Sequence, residues 1–538
     1  MYVYAKALFI AFRIVQTTLE RTPMKRLRLF LNRINSQQND FALYSVAAAV
    51  SLLFLLIFSA STSPLYHSYI GSDSAFFCMV GQGMMRGLMP YRDFFDMKGP
   101  YLFFIEYLGQ IICYGRAGIF FLQWLNLTIS AVFAIKILRL FDLGSNIHRL
   151  LLFLAILPLA AVTFTSGNLT EEFSLVPLFS CLYLCLKYIE ARQDGLEYTH
   201  PLWHGFWYGI CFGYLALVRI TNAALICAIV LAASICMITD KKIGNLLMNG
   251  VTFLLGCMLA VFPMFGFFLY QGLFDEMIYC VFHFGYAYSA EFSFGEHILQ
   301  LWRVLPWLFI LLTPAAIAFI IKDTGWRLRL VIALGTFATF LGVAVGNAYT
   351  HYFTLCLPLV LVGLALVSSR RRRYGRTSAV VPSNLLRLVY VVNAVYLAFS
   401  IFMLLPSTRT AANDDSAEYE QSVLAMAENI PKDERDSVFS YNIDVEWYYY
   451  TDDIFPCCKY CGWQNHYIEL MPEIEDELAA MFDHTPPKWL VLPTDGEKPI
   501  PEAIGARIEK NYVVEFRNSD FTLLRYKHFT ATDVSSLP

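Results

Sequence analysis

Charge is what this chain has least of. Asp, Glu, Lys and Arg make up 15% of its 538 residues, and 57% are hydrophobic; soluble domains carry about a quarter charged residues. The shortage excludes an ordinary water-soluble protein and points to an integral membrane chain. Its basic residues form no continuous patch, so no nucleic-acid partner is implied. No internal repeat and no low-complexity tract is visible. No small-residue cleavage site follows the first apolar run, Phe41–Ala60, which therefore reads as a retained signal anchor. Among thirteen cysteines, Cys457, Cys458 and Cys461 cluster without the second pair that a metal knuckle needs. They read as a structural disulfide in an oxidising exterior. The others sit in or beside apolar segments as packing residues.

What is present is a series of eleven apolar stretches: 41–60, 117–138, 150–166, 173–189, 203–218, 221–238, 246–269, 303–321, 329–346, 352–367 and 386–405. Each is about the length that a hydrocarbon core of roughly 30 Å requires. A further run, Pro100–Tyr114, is short and carries Glu106 and Gln110. Lys/Arg excess marks cytoplasmic loops, and the strongest marker is Arg370–Arg373 with Arg376. If 100–114 does not cross, the basic loops at 139–149, 187–192, 241–242, 322–329 and 370–376 all fall inside; if it crosses, they face outward. It therefore reads as a juxtamembrane or re-entrant helix within a long first outer loop, 61–116.

Charge is also divided along the chain. From Arg409 onward lie 25 of the 43 acids but only 11 of the 40 bases. The expected architecture is an all-α polytopic membrane domain with about eleven transmembrane helices, joined to a small C-terminal α/β domain. Residues 1–40 form a basic cytoplasmic segment, 41–405 the membrane domain and 406–538 the extracytoplasmic domain. Within the tail, 417–429 and 473–482 have helical periodicity. Strands are expected at 436–441, 488–493 and 512–526, the last broken by a turn at Asn518-Ser519.

In that orientation the unusual polar residues collect on the outer side. The first outer loop contributes Asp73, Arg92, Asp93, Asp96, Lys98 and Arg116, and the short turn 165–172 adds Glu171 and Glu172. Arg219 and Asn222, His283 and Glu291, and Asn347, His351 and Tyr352 complete the set. Charges at membrane depth are costly and default to candidates facing a cavity. Each has a plainer reading: Asp73 as a helix cap, Arg92 with Asp93 or Asp96 as a turn, Lys98 snorkelling, and Glu171 and Glu172 at a helix N-terminus. The chemistry this set fits is glycosyl transfer from a polyprenyl-phosphate sugar. A phosphate leaves without a strong general acid, and one carboxylate suffices to deprotonate the acceptor hydroxyl. Basic residues hold the lipid phosphate and absorb its developing charge. Asp73, Lys98 and Arg219 supply that minimum. No cofactor is expected; a divalent cation is an open alternative, but no compact Asp-x-Asp motif is present and a metal-free mechanism is favoured.

This layout resembles the C-type integral membrane glycosyltransferases, which include protein O-mannosyltransferases, bacterial aminoarabinose transferases and bacterial surface-polysaccharide members. In that group an acid just after the first span is the catalytic base, and Asp73 matches it. Lys98-Gly99-Pro100 is similar to the group's basic or histidine residue followed by proline at the start of a juxtamembrane helix. Arg116 matches an arginine opening the next span, and Glu171 or Glu172 a further acid after the third. The likeness covers residues 40–405 and rests on spacing. The chain departs from the mannosyltransferases in having Asp73-Ser74 where they have adjacent acids. The run Tyr91–Pro100 is closest to surface-polysaccharide members, so the sugar does not carry over.

The resemblance implies an inverting hexosyl- or pentosyltransferase of the cell membrane with an extracytoplasmic active site. It would move a sugar from a polyprenyl-phosphate donor to a glycan, lipid or protein hydroxyl. Asp73 would be the general base. Arg92, Asp93, Asp96, Lys98, Arg116, Glu171, Glu172, Arg219, His351 and Tyr352 would bind substrate. The alternatives are a flippase for lipid-linked sugars, and a polysaccharide polymerase or ligase with a lipid diphosphate donor. Transporters tend to show repeats and charges near the bilayer midplane, whereas here the charges gather at one face. The aromatic segments Phe262–Phe268 and Tyr279–Tyr288 would line a lipid groove or sugar platform. Trp447, Tyr448, Tyr449, Tyr450 and Trp463 read as core of the tail, with carbohydrate stacking the alternative.

Overall fold

The structure is a computed structural model that describes residues 40–193, 199–290, 312–321, 324–344, 349–373, 376–379, 415–451, 453–494 and 499–527. Eight helices among the described residues are long and apolar enough to cross a bilayer: Phe41–Phe58, Arg116–Arg139, Asn146–Thr163, Thr170–Ala191, Ile220–Thr239, Ile243–Tyr270, Trp326–Ala344 and Thr350–Ser368. The chain is a multi-pass membrane protein, and these eight fall on eight of the expected stretches. The stretch expected at 203–218 is the helix Leu202–Ala216, 15 residues long and about 22 Å at 1.5 Å per residue. The first nine residues of the stretch at 303–321, and all of 386–405, lie outside the described residues.

Leu202–Ala216 is joined to its neighbour by a face of small residues. A Cβ on Gly209 would lie 2.0 Å from the Phe253 carbonyl oxygen, and one on Gly256 would lie 2.1 Å from that of Phe206. With Gly205 and Gly213 one turn either side, the stripe lets two backbones approach where lipid offers no hydrophobic drive for helix association. The rest of Ile243–Tyr270 stays apolar and exposed, Leu254 at 57% and Phe262 at 60%, as a lipid-facing surface requires.

The run after Gly99 forms the helix Pro100–Ile112. Gly99 is its N-cap, and Pro100 opens it without losing a hydrogen bond. At 13 residues it reaches about 20 Å, short of a hydrocarbon core. It packs on the helix Ser72–Met85, where Gly81 admits the backbone of Glu106. Glu106 is fully buried. Burial pushes its carboxyl up to about 8, so it sits there uncharged at neutral pH.

The tail is an α/β unit. Val438–Ser440 pairs in parallel with Trp489–Pro493, which pairs antiparallel with Phe521–Tyr526, and Tyr512–Arg517 closes the far edge. Apolar side chains of the inner strands pack under Glu473–His484 and Glu502–Asn511. Trp447 and Tyr448 are buried in this core. The expected disulfide is absent: Cys457, Cys458 and Cys461 are free thiols. The reason is packing, since Cys461 turns into the core while Cys457 stays exposed. The tail seats on the connection between the first two spans. The Phe95 N–H donates to the Lys459 carbonyl at 2.9 Å, the Tyr450 hydroxyl donates to the Ser68 carbonyl, and the Phe95 ring lies against Tyr460 and Tyr467.

Gly209→Val should break the close helix contact at a cost of about 3 kcal/mol or more. Thermal unfolding of the purified protein should register it as a large drop in midpoint or a loss of folded yield. A wild-type midpoint would show that the two helices do not depend on this approach.

Candidate functional site

A cavity of about 520 Å³ opens where three spans begin, those starting at Thr170, Ile220 and Thr350. The far ends of the first two carry Lys187 and Asp240-Lys241-Lys242, and Arg327 binds Asp240 there at 2.7 Å. The basic loops and the cavity are therefore at opposite ends of these helices. Asp73, Asp96, Lys98, Glu171 and Arg219 form the charged floor, and His351 and Tyr352 stand beside them.

Asp73 sits in the first turn of Ser72–Met85, where Gly71 is the N-cap. Asp73 is thus not the cap, and its carboxylate lines the cavity. Lys98 arrives through backbone docking. The Gly99 N–H donates to the Val218 carbonyl at 2.9 Å, and the Tyr101 N–H to that of Leu217 at 3.1 Å. A Cβ on Gly99 would lie 2.1 Å from the Leu217 oxygen, so only glycine lets the segments touch here and bring Lys98 beside Arg219. Asp96 accepts from the Lys98 N–H at 2.6 Å, and the Lys98 ammonium lies 3.8 Å from the same carboxylate. Burial opposes the charge on Lys98, yet Asp96 and Asp73 more than offset it and hold the ammonium above the ordinary lysine range. The Asp96 carboxyl is raised by burial, against the pull of Lys98.

Glu171 and Glu172 point to different partners. Glu171 lines the cavity, pairs with Arg219 at 2.7 Å and accepts from the Thr170 hydroxyl. The Arg219 guanidinium also lies 3.8 Å from the Tyr352 ring centre. Glu172 instead accepts from Gln123 at 2.9 Å and from the Asn168 N–H at 3.0 Å. It pins a turn in which Thr165, Gly167 and Asn168 all have left-handed backbones. Asn168 donates to Ser74 at 2.9 Å, which ties that turn to the helix carrying Asp73.

Several expected site residues are not in the cavity. Arg92 binds the Asp93 carboxylate at 2.7 Å on the exposed surface, and Asp93 accepts from the Met89 N–H. This pair holds the turn whose left-handed residue is Tyr91. Arg116 donates to the Tyr69 and His67 carbonyls and latches the connection that precedes its own helix. Glu172, in the first turn of its helix, holds the preceding turn through the Asn168 N–H. His283 is exposed, stacked on Tyr279, while Glu291 and Asn347 lie outside the described residues. Among the described residues no cluster of three His, Cys, Asp or Glu side chains has metal-holding geometry.

The cavity's other wall is aromatic. Phe284 and Tyr288 come from the membrane domain, as the segment 279–288 suggested, and Trp463, His466 and Tyr467 come from the tail. His466 and Tyr467 were missed in the sequence. Their signal was the aromatic spacing 463, 466, 467 on one helix face in an otherwise acidic domain. A second hollow, about 460 Å³, opens among Tyr101, Leu125, Phe173, Trp207, Tyr214 and Leu259. The Tyr101, Trp207 and Tyr214 donors are all bound within the protein, so its surface is apolar.

No protein-family model matches the chain, and no curated protein matches it by sequence. By structure it is similar to ArnT, the aminoarabinose transferase, from Cupriavidus metallidurans. The apo form aligns with TM-score 0.54 at 12% identity over 90% of this chain and 97% of that one. The form bound to undecaprenyl phosphate aligns with TM-score 0.51 at 11% identity over 89% and 97%. The chain has the C-type membrane glycosyltransferase fold. A more distant likeness, TM-score 0.45 at 14% identity over 87% and 72%, runs to the oligosaccharyltransferase of Archaeoglobus fulgidus.

The tail also packs on the helix Ser72–Met85 through the helix Glu446–Thr451, whose first residue, Glu446, is half-buried. Burial, with the Asp444 and Asp73 charges adding to it, pushes its carboxyl from the ordinary 4.5 up to about 7. The folded state therefore favours the protonated acid. Its stabilisation is fully present below about 4.5 and is lost as the pH rises through about 7. Between pH 5 and pH 8 the unfolding midpoint should fall further for wild type than for Glu446→Gln. Parallel curves for the two proteins would refute the assignment.

Proposed function

We propose that the chain is an inverting glycosyltransferase that moves a sugar from a polyprenyl-phosphate carrier to an acceptor hydroxyl on the outer side of the membrane. One observation carries the reading: Asp73, Lys98 and Arg219 share a cavity at the end of the spans opposite the basic loops. The fold shared with ArnT, whose structure holds undecaprenyl phosphate, supports it. The apolar hollow beside Tyr101 suits the isoprenoid chain of such a donor.

In this reading the Asp73 carboxylate takes the proton of the acceptor hydroxyl as its oxygen attacks the anomeric carbon. The bond from that carbon to the phosphate oxygen breaks on the opposite face, and its electrons leave with the polyprenyl phosphate. A single displacement of this kind inverts the anomeric centre. Lys98, kept cationic by its two acidic neighbours, meets the phosphate as charge develops. Its link to Asp96 is loose at 3.8 Å, whereas Arg219 is bound to Glu171 at 2.7 Å. Lys98 is therefore the principal phosphate anchor, and Arg219 orients Glu171 toward the sugar or acceptor hydroxyls. With these two cations in place the reaction is drawn without a metal ion.

Purified protein given polyprenyl-phosphate sugars should release polyprenyl phosphate. Asp73→Asn should lower the rate by roughly 10²–10⁴-fold, the worth of a general base, with the fold intact. Lys98→Ala should raise the KM for the lipid donor more than Arg219→Lys does. Full turnover by Asp73→Asn would remove the proposed base.

A further inference from the structure

We propose that the tail domain supplies a saccharide-stacking subsite in which Trp463 receives the C–H face of a pyranose ring, with His466 and Tyr288 beside it. The acceptor is then a glycan. The glycan's role as acceptor rests on the transfer function proposed for this cavity; saccharide binding at Trp463 does not.

Trp463 has φ +52° and ψ +31°, a left-handed backbone that is uncommon and unfavourable for so bulky a residue. Such strain persists only where the surroundings over-determine it, and it gathers at ligand sites. The surroundings here do so. Buried Gln464 donates to the Ser440 carbonyl at 2.8 Å and to the Tyr460 carbonyl at 2.7 Å, and accepts from the Asn442 N–H at 2.8 Å. Asn442 is itself left-handed, at φ +54°. Gly462 lies so close to the core that an added Cβ would fall 2.8 Å from Val445 Cγ1. The Tyr467 N–H then donates to the Trp463 carbonyl at 3.0 Å and starts the helix.

The result is a half-buried tryptophan that packs against the core on one side and lines the cavity on the other. Trp447 of the same domain is completely buried, whereas Trp463 keeps part of its surface on the cavity. The His466 ring stands edge-on to Tyr288, centroids 5.8 Å apart at 87°. The wall is thus built jointly by the tail and the helix Gly285–Ala290. Asp73, Asp96 and Glu171 line the same cavity.

A pyranose has the matching pair of surfaces. Its axial C–H bonds present a weakly positive apolar face, suited to the negative face of an aromatic ring, and its rim of hydroxyls suits carboxylate acceptors. An acyl chain matches the aromatic wall and leaves the acids unused. The cavity, at about 520 Å³, falls within the roughly 300–1,000 Å³ of small-molecule sites.

The test is calorimetric binding of cellotetraose and chitotetraose, whose equatorially substituted rings have unbroken C–H faces, to the full-length protein in detergent micelles. Wild type should bind at least one. Trp463→Ala should weaken the Kd by roughly tenfold, about 1.4 kcal/mol, and Trp463→Phe, which keeps a ring, by a smaller factor. Should Trp463→Ala fold poorly, Trp463→Leu keeps bulk without a π face and must show the same loss. Failure of wild type to bind either sugar overturns the subsite, and so does undiminished binding by a folded Trp463→Leu. Absence of polyprenyl phosphate release alongside intact, Trp463-dependent binding would tell against the transfer reading and leave the subsite standing.

Discussion

The approach of Gly99 to the Leu217 carbonyl is the contact on which the cavity depends. Two hydrogen bonds join the segments there, and they form only because no side chain stands between them. That docking places Lys98 next to the turn carrying Arg219 and starts the helix Pro100–Ile112 on the correct axis. Four residues earlier, the Phe95 amide binds Lys459 of the tail. One stretch of ten residues, Tyr91–Pro100, therefore positions both the charged floor and the aromatic wall. Its geometry in turn hangs on the left-handed Tyr91, held by the Tyr91 N–H to Phe94 and its hydroxyl to the Lys98 carbonyl.

Electrostatics in the cavity follow from how the charges are shared out. A buried charge is tolerable when paired, and both cations have carboxylate partners: Arg219 with Glu171, Lys98 with Asp96. The pairings differ in tightness, which is what distinguishes a residue committed to architecture from one ready to meet an anion. Neighbouring acids are separated in the same way. Glu172 spends its carboxylate on the Asn168 amide and Gln123, and so fixes the strained turn that presents Glu171 to the cavity.

Around this site the protein uses two packing regimes. In the spans, contact comes from small residues such as Gly209 and Gly256, because hydrocarbon solvent offers nothing to exclude. In the tail, where water does, the core is aromatic and aliphatic in the ordinary way, with Trp447, Tyr448 and the inner strands buried. The two regimes meet at Phe95, whose ring touches Phe284 from the membrane domain and Tyr460 and Tyr467 from the tail.

Hydropathy and periodicity were enough to locate eight spans, the short helix Pro100–Ile112 and the strands of the tail. Each of these is a sum over consecutive residues, so it is written in one dimension. The motif Lys98-Gly99-Pro100 was legible for the same reason: proline and glycine fix the backbone where they stand. The convergence of side chains was not legible. Arg92, Asp93, Asp96 and Lys98 lie within seven positions, yet the turn at Tyr91 sends the first two to the surface and the last two inward. Glu171 and Glu172 are adjacent and were indistinguishable until the helix they open gave one Arg219 and the other Gln123 and Asn168 as partners. The cysteines at 457, 458 and 461 had bonding spacing and no bonding geometry. Nor did any local feature reveal that Trp463, His466 and Tyr467 share one cavity with Asp73, nearly four hundred positions away. The sequence by itself determined what each segment is, because local energies decide that; only tertiary contacts decided what each side chain meets.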